Sequence, residues 1–131
     1  MIVEAVGGEK VVFSLDLDDG EPLQRVRRKD KGAPSPLQLA TRAAEAGVAA
    51  ISVLDVAAVG SASGPRHLDL VEAVHRLGVP VWAGGGVRSA GDIRTLAEAG
   101  CAAVLVASAI HDGTITTLAW PGPGQSPTAS R

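Results

Sequence analysis

The chain has 131 residues, a formal net charge of −2, 46% hydrophobic residues and only 2% aromatics. That length suits one domain with a moderate core; the charge excludes a molecule-wide nucleic-acid binder, and the lone cysteine, Cys101, excludes an internal disulfide and reads as a small packing residue. No apolar run reaches the roughly 18 residues of a membrane span, and the first residues, with acidic Glu4, lack the order of a signal peptide, so no membrane partner is expected and the expected location is the cytoplasm.

In chain order, residues 1–10 form a lead-in that reads equally as a strand, a frayed helix or a linker. Val11 to Asp16 is the first predicted strand. A basic run follows, with Arg25, Arg27, Arg28, Lys29 and Lys31; without interleaved aromatics it reads as a solvated loop, with a phosphate-capturing lid as its functional alternative. Ser35-Pro36 is an N-cap and first-turn pair, and Leu37, Leu39, Ala40, Ala43 and Ala44 give an apolar stripe that stops at Gly47. Ala49 to Leu54 is the second strand, and Leu68, Leu70, Val71, Val74 and Leu77 mark a helix ending at Gly78, on which His67 and His75 are expected to face solvent. Val79 to Ala83 is the third strand; Ser89 with Asp92 resembles a capping box with a shortened acid, and that helix closes at Gly100. Ala102 to Ala107 is the fourth strand, followed by at most a short helix. Residues 119–131, rich in Pro, Gly and Ser, are expected to be a disordered tail.

These strands lack strict alternation, as strands buried on both faces do, and they alternate with helices. The order demands parallel strands with right-handed crossovers, hence an α/β domain over 11–118 of about four strand-helix units, half of the eight in a TIM barrel. The segment 46–53 echoes in 99–106, two units later, as barrel repeats do; chance in an Ala/Gly/Val-rich sequence is the alternative. Four units imply open sheet edges and a partner, either a second copy in a homodimer or a complementary half-barrel.

The most informative stretch is Val79 to Ser89, in which an apolar strand runs into Gly84, Gly85 and Gly86 before a capped helix. The next strand ends in Ala107-Ser108-Ala109. Backbone N–H groups brought together at two adjacent strand ends can hold a phosphate, so Gly84, Gly85, Gly86, Ala107 and Ser108 form the candidate phosphate site; the alternative for the glycines is a tight turn. Arg88 is read as a solvated helix-start side chain, and His111 lies near this candidate site. Asp16, where a strand meets a loop, is the candidate general acid or base, with a turn-forming role in the cluster Asp16, Asp18, Asp19, Gly20 as the alternative. Asp55 also ends a strand and is either a second proton-transfer group or a loop cap. Ser61, Ser63 and Gly64 lie in the following loop, where contact with substrate oxygens competes with local backbone bonding. The histidines have no metal-ligand spacing, and no metal or organic cofactor is implied.

Ser14-Leu15-Asp16, Leu54-Asp55-Val56 with the loop through Gly60 to Pro65, the triple glycine and Ala107-Ser108-Ala109 occur in the order seen in the C-terminal half of the histidine-biosynthesis barrel family. The chain resembles that family over about residues 11–116. It departs where the family loop reads Asp-Gly-Thr and this one reads Val59-Gly60-Ser61, a feature that looks like a divergent branch, some of whose members occur in organisms with methanopterin-linked one-carbon metabolism. The resemblance implies a phosphosugar isomerase acting on a phosphorylated aminosugar or ribotide, with Asp16 matching the aspartate of the fifth strand. Two further readings are a phosphate-binding module without turnover and a truncated piece of a full-length barrel.

Overall fold

The computed structural model describes residues 2–23, 29, 32–61 and 63–115. The basic positions Arg25, Arg27, Arg28 and Lys31 and the whole 119–131 tail lie outside the described residues. The lead-in is helix α1 (Ile2–Val6) and a 3-10 turn (Gly8–Lys10). Strand β1 (Val12–Asp18) runs past its expected end, then turns back through Asp19 and Gly20 into the short antiparallel β2 (Glu21–Pro22), pairing Leu17 with Pro22 and Asp18 with Glu21. Both turn residues have positive φ, 51° and 87°, the backbone that an Asp-Gly hairpin turn requires.

The remaining elements are α2 (Pro36–Glu45), β3 (Ala50–Asp55), α3 (Leu68–His75), β4 (Val81–Gly84), α4 (Ala90–Glu98), β5 (Cys101–Leu105) and α5 (Ser108–His111). The sheet order is β2-β1-β3-β4-β5, parallel throughout except for β1 with β2. This is the strand-helix succession expected of an α/β chain, and it is consistent with part of a (βα) barrel. The echoing segments are β3 and β5, on either side of β4. No helix among the described residues is long and apolar enough to cross a membrane.

Helix α2 begins where its local chemistry says it should. Ser35 Oγ accepts from the Gln38 N–H at 3.2 Å and Gln38 Oε1 accepts from the Ser35 N–H at 2.8 Å, a complete capping box with Pro36 in the first turn. Ser35→Ala is expected to lower stability by about 1 kcal/mol, read as a shifted urea midpoint at unchanged slope. At α4 the structure departs from the expected box: Ser89 Oγ does accept from the Asp92 N–H, but the shorter Asp92 carboxylate accepts from the N–H of Arg88, 3.0 Å away, instead of from Ser89.

The core lies between the helix layer and one face of the sheet. Leu15 and Leu17 of β1, Ile51 and Val53 of β3, and Val81 and Ala83 of β4 pack with Ala40 and Ala43, Val71 and Val74, and Ile93 and Leu96 from the three longer helices. Small residues at the α2 contacts let helix and sheet approach closely. Cys101 is buried at the start of β5, where burial pushes its thiol up to about 11 and keeps it protonated. The alternate strand residues present the opposite face, on which Val12 and Leu105 are 41% and 43% exposed.

Candidate functional site

Parallel register sets out one row of side chains across that opposite face. Asp16 pairs with Leu54, Leu54 with Gly84, and Gly84 with Leu105, so the row crosses β1, β3, β4 and β5 near their C-terminal ends. Asp16 stands at one end, half-buried, its Oδ1 accepting from the Ser14 hydroxyl at 2.6 Å, one pleat below on the same face.

At the other end of the row lies a hollow of about 310 Å3, with Gly85, Gly86, Arg88, Ala107 and Ser108 in its lining together with Leu54, Val59, Gly60, Leu105, Asp112 and Thr114. Four of the five candidate phosphate residues therefore meet at one place. The fifth, Gly84, belongs to the strand itself and lies outside that lining. Gly85 and Gly86 have φ of 100° and 74°, and the Gly86 carbonyl accepts from the Gly64 N–H at 2.9 Å. That bond stitches the β3–α3 loop to the β4–α4 loop. Arg88 is 55% exposed, as expected of a helix-start side chain, with Nε on Asp92 Oδ2 at 3.2 Å.

Ser61 and Gly64 do not line the hollow. The Ser61 hydroxyl lies 2.6 Å from the Ala58 carbonyl and 2.7 Å from the Ser63 hydroxyl, which is local loop bonding, and Gly64 is buried in the stitch. His111 is exposed on α5 and also stands outside the lining.

Asp55 points to the helix side of the sheet, away from Asp16. It is 3% exposed and accepts four hydrogen bonds: from the N–H groups of Asp19 (3.1 Å), Gly20 (3.1 Å) and Ala57 (2.9 Å), with His67 Nε2 at 2.5 Å as the fourth partner. This extends the loop-cap alternative into a clamp across the mouth of β1 and β3. Burial alone would raise the carboxyl; the hydrogen bonds of His67, Asp19 and Ala57, with the His67 charge, outweigh it and hold the group below its ordinary 3.8. The solvent-facing expectation for His67 is corrected here. The residue is the N-cap of α3 in a left-handed conformation, φ 57°, which turns its ring back onto Asp55. His75 does lie exposed, its ring over Gly100. Arg66 reinforces the clamp with an exposed contact to Asp19 at 3.2 Å.

Sequence reasoning missed Val59, Leu105, Asp112 and Thr114 in the hollow and His67 in the clamp. For Leu105 there was no signal within the apolar run 102–107; the register of β5 against β4, which pairs it with Gly84, puts it on this face. For His67 there was none, since a twelve-residue separation from Asp55 has no local signature.

With the geometry in place, comparison with known proteins is informative. Residues 1–116 match the family model described as histidine biosynthesis protein. Among similar proteins, one from Natronomonas pharaonis is 35% identical over 106 residues, 81% of this chain and 44% of its own length. One from Halobacterium salinarum is 33% identical over 87% of this chain and 47% of its own length, and one from Methanococcus maripaludis 31% identical over 86% and 47%. All three bear the name 1-(5-phosphoribosyl)-5-((5-phosphoribosylamino)methylideneamino) imidazole-4-carboxamide isomerase. The chain spans about half the length of these relatives.

Proposed function

Because the chain belongs to the histidine biosynthesis protein family, we propose that it forms the phosphate-holding half of a barrel isomerase whose substrate is a phosphorylated aminosugar, ribotide or related heterocycle. The observation that carries the reading is the row from Asp16 to Leu105: a half-buried carboxyl and a hollow lined in part by glycine-rich loop backbone share one face and one end of a parallel sheet. Strand C-terminal ends are where barrel enzymes place their chemistry.

In this reading the backbone of Gly85, Gly86 and Ala107 and the hydroxyl of Ser108 hold the phosphate. A substrate anchored there extends along the row, over Leu54, towards Asp16. Ring opening of an aminosugar phosphate and the enolisation that follows both need a group that donates and then removes a proton, and Asp16 does so. Asp55, with its lone pairs occupied by protein donors, serves position rather than proton transfer. The strands that would close the barrel come from a second copy of this chain or from a complementary half-barrel, and the open Val12 and Leu105 side chains lie on the face such a partner would cover.

The test separates the two ends of the row. Phosphorylated aminosugars and ribotides, the relatives' substrate included, are offered in turn to the chain, whose mass is followed by light scattering with and without phosphate. Asp16→Asn is expected to lower turnover of any accepted substrate by about 100-fold while leaving inorganic phosphate affinity within about twofold. Ser108→Ala is expected to weaken phosphate binding by about three- to tenfold. Turnover that survives Asp16→Asn would remove Asp16 from the chemistry. Phosphate binding with no turnover in any oligomeric state would leave the non-catalytic module as the better account.

A further inference from the structure

Among the described residues that line the hollow, Arg88 is the one cation, and its neighbours fix where its side chain goes. It lies at the entry to α4, where a single oxygen, Asp92 Oδ2, accepts both its backbone N–H at 3.0 Å and its Nε–H at 3.2 Å. Asp92 is buried, so the guanidinium is anchored from inside the protein although the arginine side chain itself is open to a ligand. The other flank of the guanidinium lies against Gly64: a Cβ added there would stand 3.2 Å from Nη2 and 3.3 Å from Cζ. Gly64 is also the residue whose N–H binds the Gly86 carbonyl, so the stitch between the two loops is the shelf beside the arginine. A guanidinium carries five N–H donors. With Nε on Asp92, those of Nη1 and Nη2 have no partner among the described residues.

We propose that Arg88 is the residue by which the hollow recognises charge, and that Asp92 and Gly64 hold its guanidinium in place for a phosphomonoester. The inference rests on the phosphate reading above and deepens it. A planar guanidinium with its Nη edge open takes two oxygens of one phosphate in parallel hydrogen bonds. The backbone of Gly85, Gly86 and Ala107 and the Ser108 hydroxyl then serve the oxygen that remains. A monoester presents three terminal oxygens and close to two negative charges, and so engages both sets of donors. A diester has two such oxygens and one charge, and leaves one set unmatched. Because Asp92 has already ordered the arginine, little side-chain freedom is lost when the ligand arrives. Asp112 shares the lining and opposes any anion, but it is exposed, and water and salt screen it. A phosphorylated aminosugar or ribotide carries the monoester that this arrangement fits.

Calorimetric titration of the full chain with inorganic phosphate, ribose 5-phosphate and dimethyl phosphate, at low and at moderate salt, tests this. The wild type is expected to bind the first two, with dimethyl phosphate weaker by about tenfold or more. Arg88→Gln is expected to weaken phosphate and ribose 5-phosphate by about 10- to 30-fold and to flatten the fall of affinity with salt. Glutamine keeps the backbone N–H on Asp92 and replaces an open side chain, so the fold tolerates it. Arg88→Lys keeps the charge without the planar fork; it is expected to bind with intermediate affinity and to retain the salt dependence, and it carries the test should Arg88→Gln fail to fold. Asp112→Asn, at an exposed position, is expected to act in the opposite direction and tighten phosphate by about twofold. Phosphate affinity in Arg88→Gln within about twofold of the wild type, a salt dependence that this variant leaves unchanged, or dimethyl phosphate bound as tightly as phosphate would each overturn the proposal while leaving the phosphate reading intact. Failure of the wild type to bind either phosphate or ribose 5-phosphate would overturn both.

Discussion

Asp55→Ala is expected to destabilise the fold by about 3–5 kcal/mol, a large part of what a domain of this size has. The carboxylate is buried and each of its oxygens serves two partners: Asp19 and Ala57 at Oδ1, Gly20 and His67 at Oδ2. Alanine removes the acceptor and leaves three backbone N–H groups and a ring nitrogen without a partner, and unpaired donors cost more than the bonds themselves contribute. Asp55→Asn should cost about half as much. Its amide oxygen can take the Oδ1 position and keep Asp19 and Ala57, and a change of tautomer lets His67 accept from the amide nitrogen, so only the Gly20 N–H is stranded. Equal losses for the two variants, read from urea melts, would mean that the clamp does not hold as drawn.

The same group sets a pH dependence. Its folded pKa lies below the ordinary 3.8, so its contribution is fully present above that value and is lost as pH falls through the lowered folded value. The stability gap between the wild type and Asp55→Asn should therefore close as pH falls through the lowered carboxyl value. A gap that stays open in strongly acid solution would contradict the assignment.

Gly86→Ala is the second large effect, at about 2–4 kcal/mol. The residue combines φ of 74° with a site where an added Cβ would stand 2.7 Å from the Gly64 carbonyl oxygen, which is backbone and cannot swing aside. Gly47 is the control: φ is 82°, but nothing lies within 4 Å of its added Cβ, so Gly47→Ala should cost only about 1 kcal/mol. Because Gly86 lines the hollow and joins the two loops behind it, Gly86→Ala should also weaken phosphate binding, which Gly47→Ala should leave alone. If the two substitutions prove equally costly in denaturant melts, the close approach of the loops is not what the sequence at Gly86 answers to.

What the residues alone disclosed follows the range of the forces involved. Helix α2 was readable from Ser35 and Pro36 because a cap is chemistry between neighbours, although its reciprocal half at Gln38 went unread. The four parallel strands were readable from apolar runs set between helix signals, although burial on both faces, as expected there, holds only for β3; β1 alternates and β5 is open on its far face. Strand β2 was not, since two residues carry no periodicity; the turn at Asp19-Gly20 is legible in its composition, but the return strand after it is not. Gly85, Gly86, Ala107 and Ser108 were found together because neighbouring strand ends must meet in a parallel sheet. The apolar side of the hollow was hidden, as Val59 lies in an irregular loop and Leu105 looks like any other core residue until register puts it on the far face. Asp55 with His67 was hidden for another reason: a left-handed backbone at a histidine has no signature in composition or spacing.

Barrel enzymes are usually regarded as scaffolds whose loops can be exchanged one at a time, each on its own strand end. The Asp55 carboxylate denies this chain that freedom at one place. It binds the turn after β1 to the loop after β3, across 35 and 36 residues of sequence, so neither segment is a separate module. A graft of the second loop that omits Asp55 or His67 would loosen the first turn, and an insertion at Asp19-Gly20 would strand the carboxylate behind it. Recombination of this domain, by evolution or by an engineer, has to move the two together.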